Sequence, residues 1–134
     1  MIERELVIVG GGPTGVEVAG ALGELKKNIL PNDYPELEFE KMKIILVEGT
    51  GRLLNGMSES SGEKALRYLH KFDVDVQLNT IVKTYDGKSA ELSSGQRINT
   101  YTLVWAAGVQ GNFPEGLPEE AVEGNRLVVD EYNR

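Results

Sequence analysis

Cysteine is absent from the 134 residues of this chain. That excludes disulfides, a redox-active thiol pair and thiolate metal sites within it. Basic charge is also scarce: 14 Lys and Arg against 21 Asp and Glu leave a formal net charge of −7. Nucleic acid is therefore not an expected partner, because neutralising phosphates takes a basic face. The single histidine, His70, falls late in a helical pattern and reads as a solvated residue rather than a ligand or base. No apolar run is long enough to cross a bilayer and no signal-peptide pattern precedes the first strand, so the segment is expected to be soluble. Its length suits one domain with a proper core.

Glycine is what the chain does have, 16 in all, and three of them carry a motif. Leu6 to Val9 is a short apolar run, as a strand buried on both faces reads. Gly10, Gly12 and Gly15 follow at G-x-G-x-x-G spacing, and a helix of small and apolar residues is expected from Val16. In that motif Gly10 serves the tight turn, Gly12 the approach of backbone to a pyrophosphate, and Gly15 close packing of helix on strand. The free N–H groups and dipole of the helix start would then face a phosphate.

A second strand, Lys43 to Val47, ends in Glu48. A carboxylate there accepts hydrogen bonds from a ribose diol and repels a 2′-phosphate, which favours NAD over NADP. Glu48 stands 33 residues after Gly15 instead of the usual ~20. An acidic insertion over residues 28–42 accounts for the excess. Arg52 lies close enough to meet a phosphate, but a solvated loop residue is the simpler reading beside Glu48.

Beyond Glu48 the pattern predicts a loop over 49–56, a helix capped by a Ser60-x-x-Glu63 box with Ala65, Leu66, Leu69 and Phe72 on its apolar face, and a third strand over 74–78. Three short alternating segments, 81–85, 88–92 and 96–99, are then separated by Asp86-Gly87 and Ser94-Gly95, both read as two-residue hairpin signals. The fold expected is α/β: a Rossmann-like parallel sheet with helices on both faces and a three-stranded antiparallel meander as crossover. Residues 102–108 form the returning parallel strand, 109–124 a loop, and 125–134 a strand-like run that reads as the cut end of a longer protein.

Ala106, Ala107 and Gly108 close that returning strand at its carboxyl end, where open α/β sheets bind ligands. Small side chains there let a flat ring lie on the backbone, or merely clear a neighbouring helix. Two readings also stay open for Glu17. It is a first-turn carboxylate that stabilises the helix dipole, or it reaches past the pyrophosphate to position a nicotinamide. Trp105 reads as a core or interface aromatic.

The stretch 7–20, Asp-Tyr-Pro at 33–35, Val-Glu at 47–48, Arg-Leu-Leu at 52–54 and Trp-Ala-Ala-Gly-Val at 105–109 resemble the NADH-binding domain of type II NADH dehydrogenases. These are single-subunit flavoproteins with two dinucleotide-binding domains, and the resemblance covers nearly all of the chain. It implies that Gly10, Gly12, Pro13, Thr14 and Gly15 hold the pyrophosphate and that Glu48 takes the adenosine ribose. Val82 would lie near adenine, with Glu17 and residues 106–108 flanking the nicotinamide. It further implies a parent enzyme that passes hydride from NADH to FAD and electrons on to a quinone. That enzyme would sit peripherally on the cytoplasmic side of a membrane through C-terminal segments absent here. The partner of this domain would be the FAD domain of the same chain, to which residues 125–134 begin the return. The FAD motifs are missing from the segment, so the fragment alone is expected to bind NADH without oxidising it. Gly23 departs from the alanine expected in the helix, at a cost of ~1 kcal/mol. Two alternatives remain open: the NAD domain of a related disulfide or ferredoxin reductase, and an NAD-sensing regulatory module. A free-standing short-chain dehydrogenase is disfavoured, because no Tyr-x-x-x-Lys pair supplies a catalytic acid.

Overall fold

The computed structural model describes residues 4–109 and 111–133. Strand β1 (Arg4–Val9) runs into helix α1 (Pro13–Glu24), a π-turn (Leu25–Ile29) and a short helix α2 (Leu30–Asp33). Then come β2 (Met42–Val47), α3 (Glu59–Lys71), β3 (Val74–Gln77), β4 (Val82–Tyr85), β5 (Ser89–Leu92), β6 (Arg97–Asn99) and β7 (Thr102–Trp105). A hairpin of two-residue strands, β8 (Val122–Glu123) and β9 (Arg126–Leu127), follows. Gln110 and Arg134, inside the segments expected as loop and closing strand, lie outside the described residues.

The parallel sheet has the order β3-β2-β1-β7, and β4-β5-β6 form a separate antiparallel sheet. Central β1 is buried on both faces, which is why it reads as a continuous apolar run. Ile8, Ile44, Leu46 and Val74 pack on one face with Ala19 of α1 and Leu69 of α3. Val7, Val9, Ile45 and Val47 pack on the other with Leu92 and Ile98 of the meander. The α/β class and the meander crossover are as expected, but the helices do not divide between the faces. Helices α1 and α3 share one face, and the meander, whose Leu92 and Ile98 are fully buried, takes the place of helices on the other. Thr100 anchors its exit: the buried hydroxyl donates to the Glu5 carbonyl at 2.6 Å across 95 residues of sequence.

Several local expectations are corrected. Helix α1 starts at Pro13, three residues before Val16, because proline has no N–H to lose and a φ suited to the first helical position. Glu17 therefore falls outside the first turn, which holds no acidic residue. The helical path runs on to Asp33, so the insertion begins as helix. Pro31 stops the regular ladder there, and the widened π-turn absorbs the disruption. The cap of α3 is Ser58, whose hydroxyl accepts from Ser61 N–H at 3.3 Å. Ser60 already lies inside the helix, so the Ser60–Glu63 box does not form. The meander connections span three and four residues rather than two, since Lys88 joins Asp86-Gly87 in the first turn and Ser93 and Gln96 flank Ser94-Gly95 in the second. The closing run is strand only at Arg126–Leu127, paired back on Val122–Glu123 within the expected loop.

Gly23 is also more than a tolerated departure. A methyl there would stand 2.8 Å from Phe72 Cβ, so the glycine lets α1 reach the end of α3.

Candidate dinucleotide site

The sheet register brings the site together. Val9 pairs with Val47 and with Trp105, and Val47 with Gln77. The ladder then runs one residue past each strand: Gly10 N–H donates to Val47 O at 2.8 Å, Ala106 N–H to Val9 O at 2.8 Å, and Glu48 N–H to Gln77 O at 2.9 Å. Gly10, Glu48 and Ala106 thus stand side by side at the carboxyl edge. There the chain leaves β1 for β2 on one side and returns as β7 on the other, and such a switch point opens the crevice in which α/β sheets bind ligands.

The three motif glycines have separable causes. Gly10 adopts φ +112°, and a Cβ on it would come within 2.7 Å of the Ala106 carbonyl oxygen. At Gly15 a Cβ would overlap the Gly10 carbonyl oxygen at 1.8 Å. The fold itself demands both. A Cβ on Gly12, by contrast, would meet no protein atom within 4 Å, and its φ of −75° is open to any residue. Nothing within the chain requires glycine there, which fits a backbone that a pyrophosphate must approach closely. The helical ladder begins with Val16 N–H to Gly12 O at 3.0 Å, leaving the first-turn N–H groups of the helix ahead of it. Pro13 and Thr14 are exposed at this helix start.

Glu48 is held from both sides. Its Oε2 accepts from Gly11 N–H at 2.6 Å and its Oε1 from Thr50 N–H at 2.7 Å. Partial burial pushes its pKa up. The N–H groups of Thr50, Gly11 and Gly49 outweigh that and leave it below the ordinary carboxylate value. Each oxygen keeps a lone pair for a further donor. Val82 comes into the same neighbourhood: Thr80 N–H donates to Glu48 O at 2.9 Å, and Val82 lies half-buried two residues on.

On the other side of β1, Ala106 and Ala107 are half-buried and Gly108 is exposed. Trp105 is not a core residue. It is 63% exposed on the edge strand, and its indole N–H donates to Ala107 O at 3.0 Å. Glu17 is exposed in the second turn of α1, so the first-turn dipole reading does not apply. His70 is solvent-exposed, as expected.

Sequence reasoning missed the partners that orient Glu48. Gly11 is the unassigned residue between Gly10 and Gly12, yet a Cβ there would stand 2.7 Å from Leu53 Cδ2 and 2.9 Å from Glu48 Cγ. Its place as the middle of three consecutive glycines was the available signal. Thr50 acts through its main chain and leaves no such mark.

A doubly wound half-sheet with a meander crossover and a glycine-rich turn at its switch point defines a Rossmann-like dinucleotide domain. Comparison with known proteins narrows this. The family model described as pyridine nucleotide-disulphide oxidoreductase matches residues 1–134, and the chain belongs to that family. It is 42% identical over 131 residues to the type II NADH:quinone oxidoreductase NdhA of Mycobacterium tuberculosis, covering 93% of this chain and 28% of that protein. The enzyme Ndh of the same organism, with the same description, is 32% identical over 131 residues, 95% of this chain and 28% of its own length. The chain thus spans less than a third of these relatives. In fold it is similar to NDH2 of Plasmodium falciparum, solved with NADH, at a TM-score of 0.75 and 24% identity over 81% of this chain and 23% of that one.

Proposed function

We propose that this chain is the NADH-binding module of a flavin-dependent type II NADH:quinone oxidoreductase. The observation that carries the reading is the pairing of Gly12, whose missing side chain the fold does not explain, with a clamped carboxylate at Glu48. The names of the relatives at 42% and 32% identity support the cofactor and the quinone acceptor. In this reading Gly10, Gly12, Pro13, Thr14 and Gly15 form the pyrophosphate cradle, with the main-chain N–H groups of Gly12, Thr14 and Gly15 as donors. Glu48 accepts from the adenosine ribose diol and, staying ionised, repels a 2′-phosphate. Val82 borders the adenine, while Ala106, Ala107 and Gly108 give the nicotinamide ring a surface without bulky side chains. Glu17 lies on the same helix and is assigned the nicotinamide carboxamide.

Hydride transfer itself belongs to the cofactors, NADH as donor and FAD in the flavin domain of the parent as acceptor. What this chain supplies is orientation, which is worth most when reacting atoms are brought to ~3–3.5 Å. By itself it binds NADH without turning it over. In this reading the parent works peripherally at the cytoplasmic side of a membrane, where a quinone is within reach, and residues 125–134 would begin the return to its flavin domain.

Glu48→Gln tests the assignment. NADH and NADPH are titrated into the wild-type protein and the variant, following reduced-nicotinamide fluorescence. The wild-type protein prefers NADH, and the variant narrows that preference by about tenfold or more, as for loss of one charge-assisted interaction. A wild-type protein without preference, or a variant that keeps it, overturns the reading.

A further inference from the structure

The segment that joins β2 to α3 folds around one side chain. Arg52 donates through Nε to Asn55 Oδ1 at 3.0 Å, and through one terminal nitrogen to the carbonyls of Asn55 at 2.8 Å and Met57 at 3.1 Å. A planar guanidinium serves three acceptors at once in this way, and an ammonium does not reproduce the fork. Three of its five N–H donors are thus spent inside its own loop.

The loop so folded touches the dinucleotide site at three points. Leu54 N–H donates to Gly11 O at 2.8 Å. Leu53, 1% exposed, packs beside Gly11. Thr50 N–H donates to Glu48 Oε1 at 2.7 Å, and the Thr50 hydroxyl donates back to the Arg52 carbonyl at 2.9 Å. Gly11, gripped by Leu53 and Leu54, supplies the bond to Glu48 Oε2. Both carboxylate oxygens are therefore oriented by the loop, one through Thr50 and one through Gly11.

We propose that Arg52 is a positioning residue for nucleotide specificity: by folding residues 50–57 it fixes Thr50 and Gly11, and through them the Glu48 carboxylate that separates NADH from NADPH. The proposal rests on the function proposed above. It gives Arg52 the opposite role from a phosphate contact, since loss of the side chain weakens discrimination against NADPH.

The test titrates the protein with NADH and with NADPH for wild type, Arg52→Ala, Arg52→Lys and Asn55→Ala. Thermal melts show which variants fold. Discrimination is expected to fall about tenfold in Arg52→Ala, the worth of one charge-assisted bond to the carboxylate. Lysine does not restore it, and Asn55→Ala falls between, having lost only the side-chain acceptor. A merely structural role would weaken both nucleotides alike and leave their ratio unchanged, which overturns the proposal. A loss confined to NADPH also overturns it, by making Arg52 a phosphate contact. If Arg52→Ala does not fold, Asn55→Ala decides, and an unchanged ratio there is refutation. A wild-type protein that binds neither nucleotide overturns the proposed function and this inference with it. Wild-type preference with unmoved variants overturns the inference alone.

Discussion

Replacing Gly15 with alanine places a methyl carbon 1.8 Å from the Gly10 carbonyl oxygen, where real contacts begin near 3.0 Å. Strand end and helix start must therefore part by more than an ångström, and the obstacle is backbone, with no rotamer to turn away. Overpacking of this kind costs about 3 kcal/mol or more, against which alanine returns at most ~1 kcal/mol of helix propensity. A net loss of about 2 kcal/mol lowers the Tm of a domain this size by roughly 6–10 °C. Gly12→Ala is the matched contrast three residues away. Its methyl meets no protein atom within 4 Å, and as a helix cap alanine is poorer than glycine by only ~1 kcal/mol. Its Tm falls by about half as much, yet its NADH affinity drops by about tenfold or more, because the methyl stands where the pyrophosphate approaches. Calorimetric melting and NADH titration of both variants read the two effects separately. Gly12→Ala binding NADH as tightly as the wild type, or Gly15→Ala melting with it, would refute this division of labour.

Gly23→Ala is expected to destabilise by about 1–2 kcal/mol despite better helix propensity, because its methyl meets Phe72 Cβ at 2.8 Å. A variant with raised Tm would contradict that contact. The meander has its own pH signature. The N–H groups of Lys88 and Ser89, the Ser89 hydroxyl and the Arg97 guanidinium hold Asp86 down from 3.8 to about 2. The sign follows from the depressed value: its contribution is full above 3.8 and fades as pH falls toward 2. Asp86→Asn is therefore less stable than wild type at pH 6, and the gap in Tm closes on acidification. A gap that widens would reverse the assignment.

The parallel strands, the meander and the glycine turn were legible because each rests on local pattern: apolar runs buried on two faces, alternation between turns, and motif spacing. Which face the helices take was not, because α1 and α3 meet through Gly20 and Gly23, small residues that give no periodic signal. The π-turn before Pro31 and the cap at Ser58 turn on single residues whose neighbours offered equally good alternatives. At the site, Gly10 and Gly15 could be placed from spacing, and Glu48 from its position at the end of the second apolar run. The clamp around Glu48 could not, since Gly11, Thr50 and Leu54 contribute main-chain groups that every sequence possesses. Arg52 could be recognised as a loop residue but not as the centre of that loop, because its partners Asn55 and Met57 are set by the fold of the segment and follow no motif.

The most direct check is the pattern of backbone amide shifts when NADH is added to the ¹⁵N-labelled protein. The largest shifts are expected at Gly11, Gly12, Thr14 and Gly15, with a second group at Ala106 to Gly108 and Thr50. Shifts gathered instead around the open cavity of about 320 Å³ beside Pro31 and Phe39, with the glycine turn unmoved, would contradict the account.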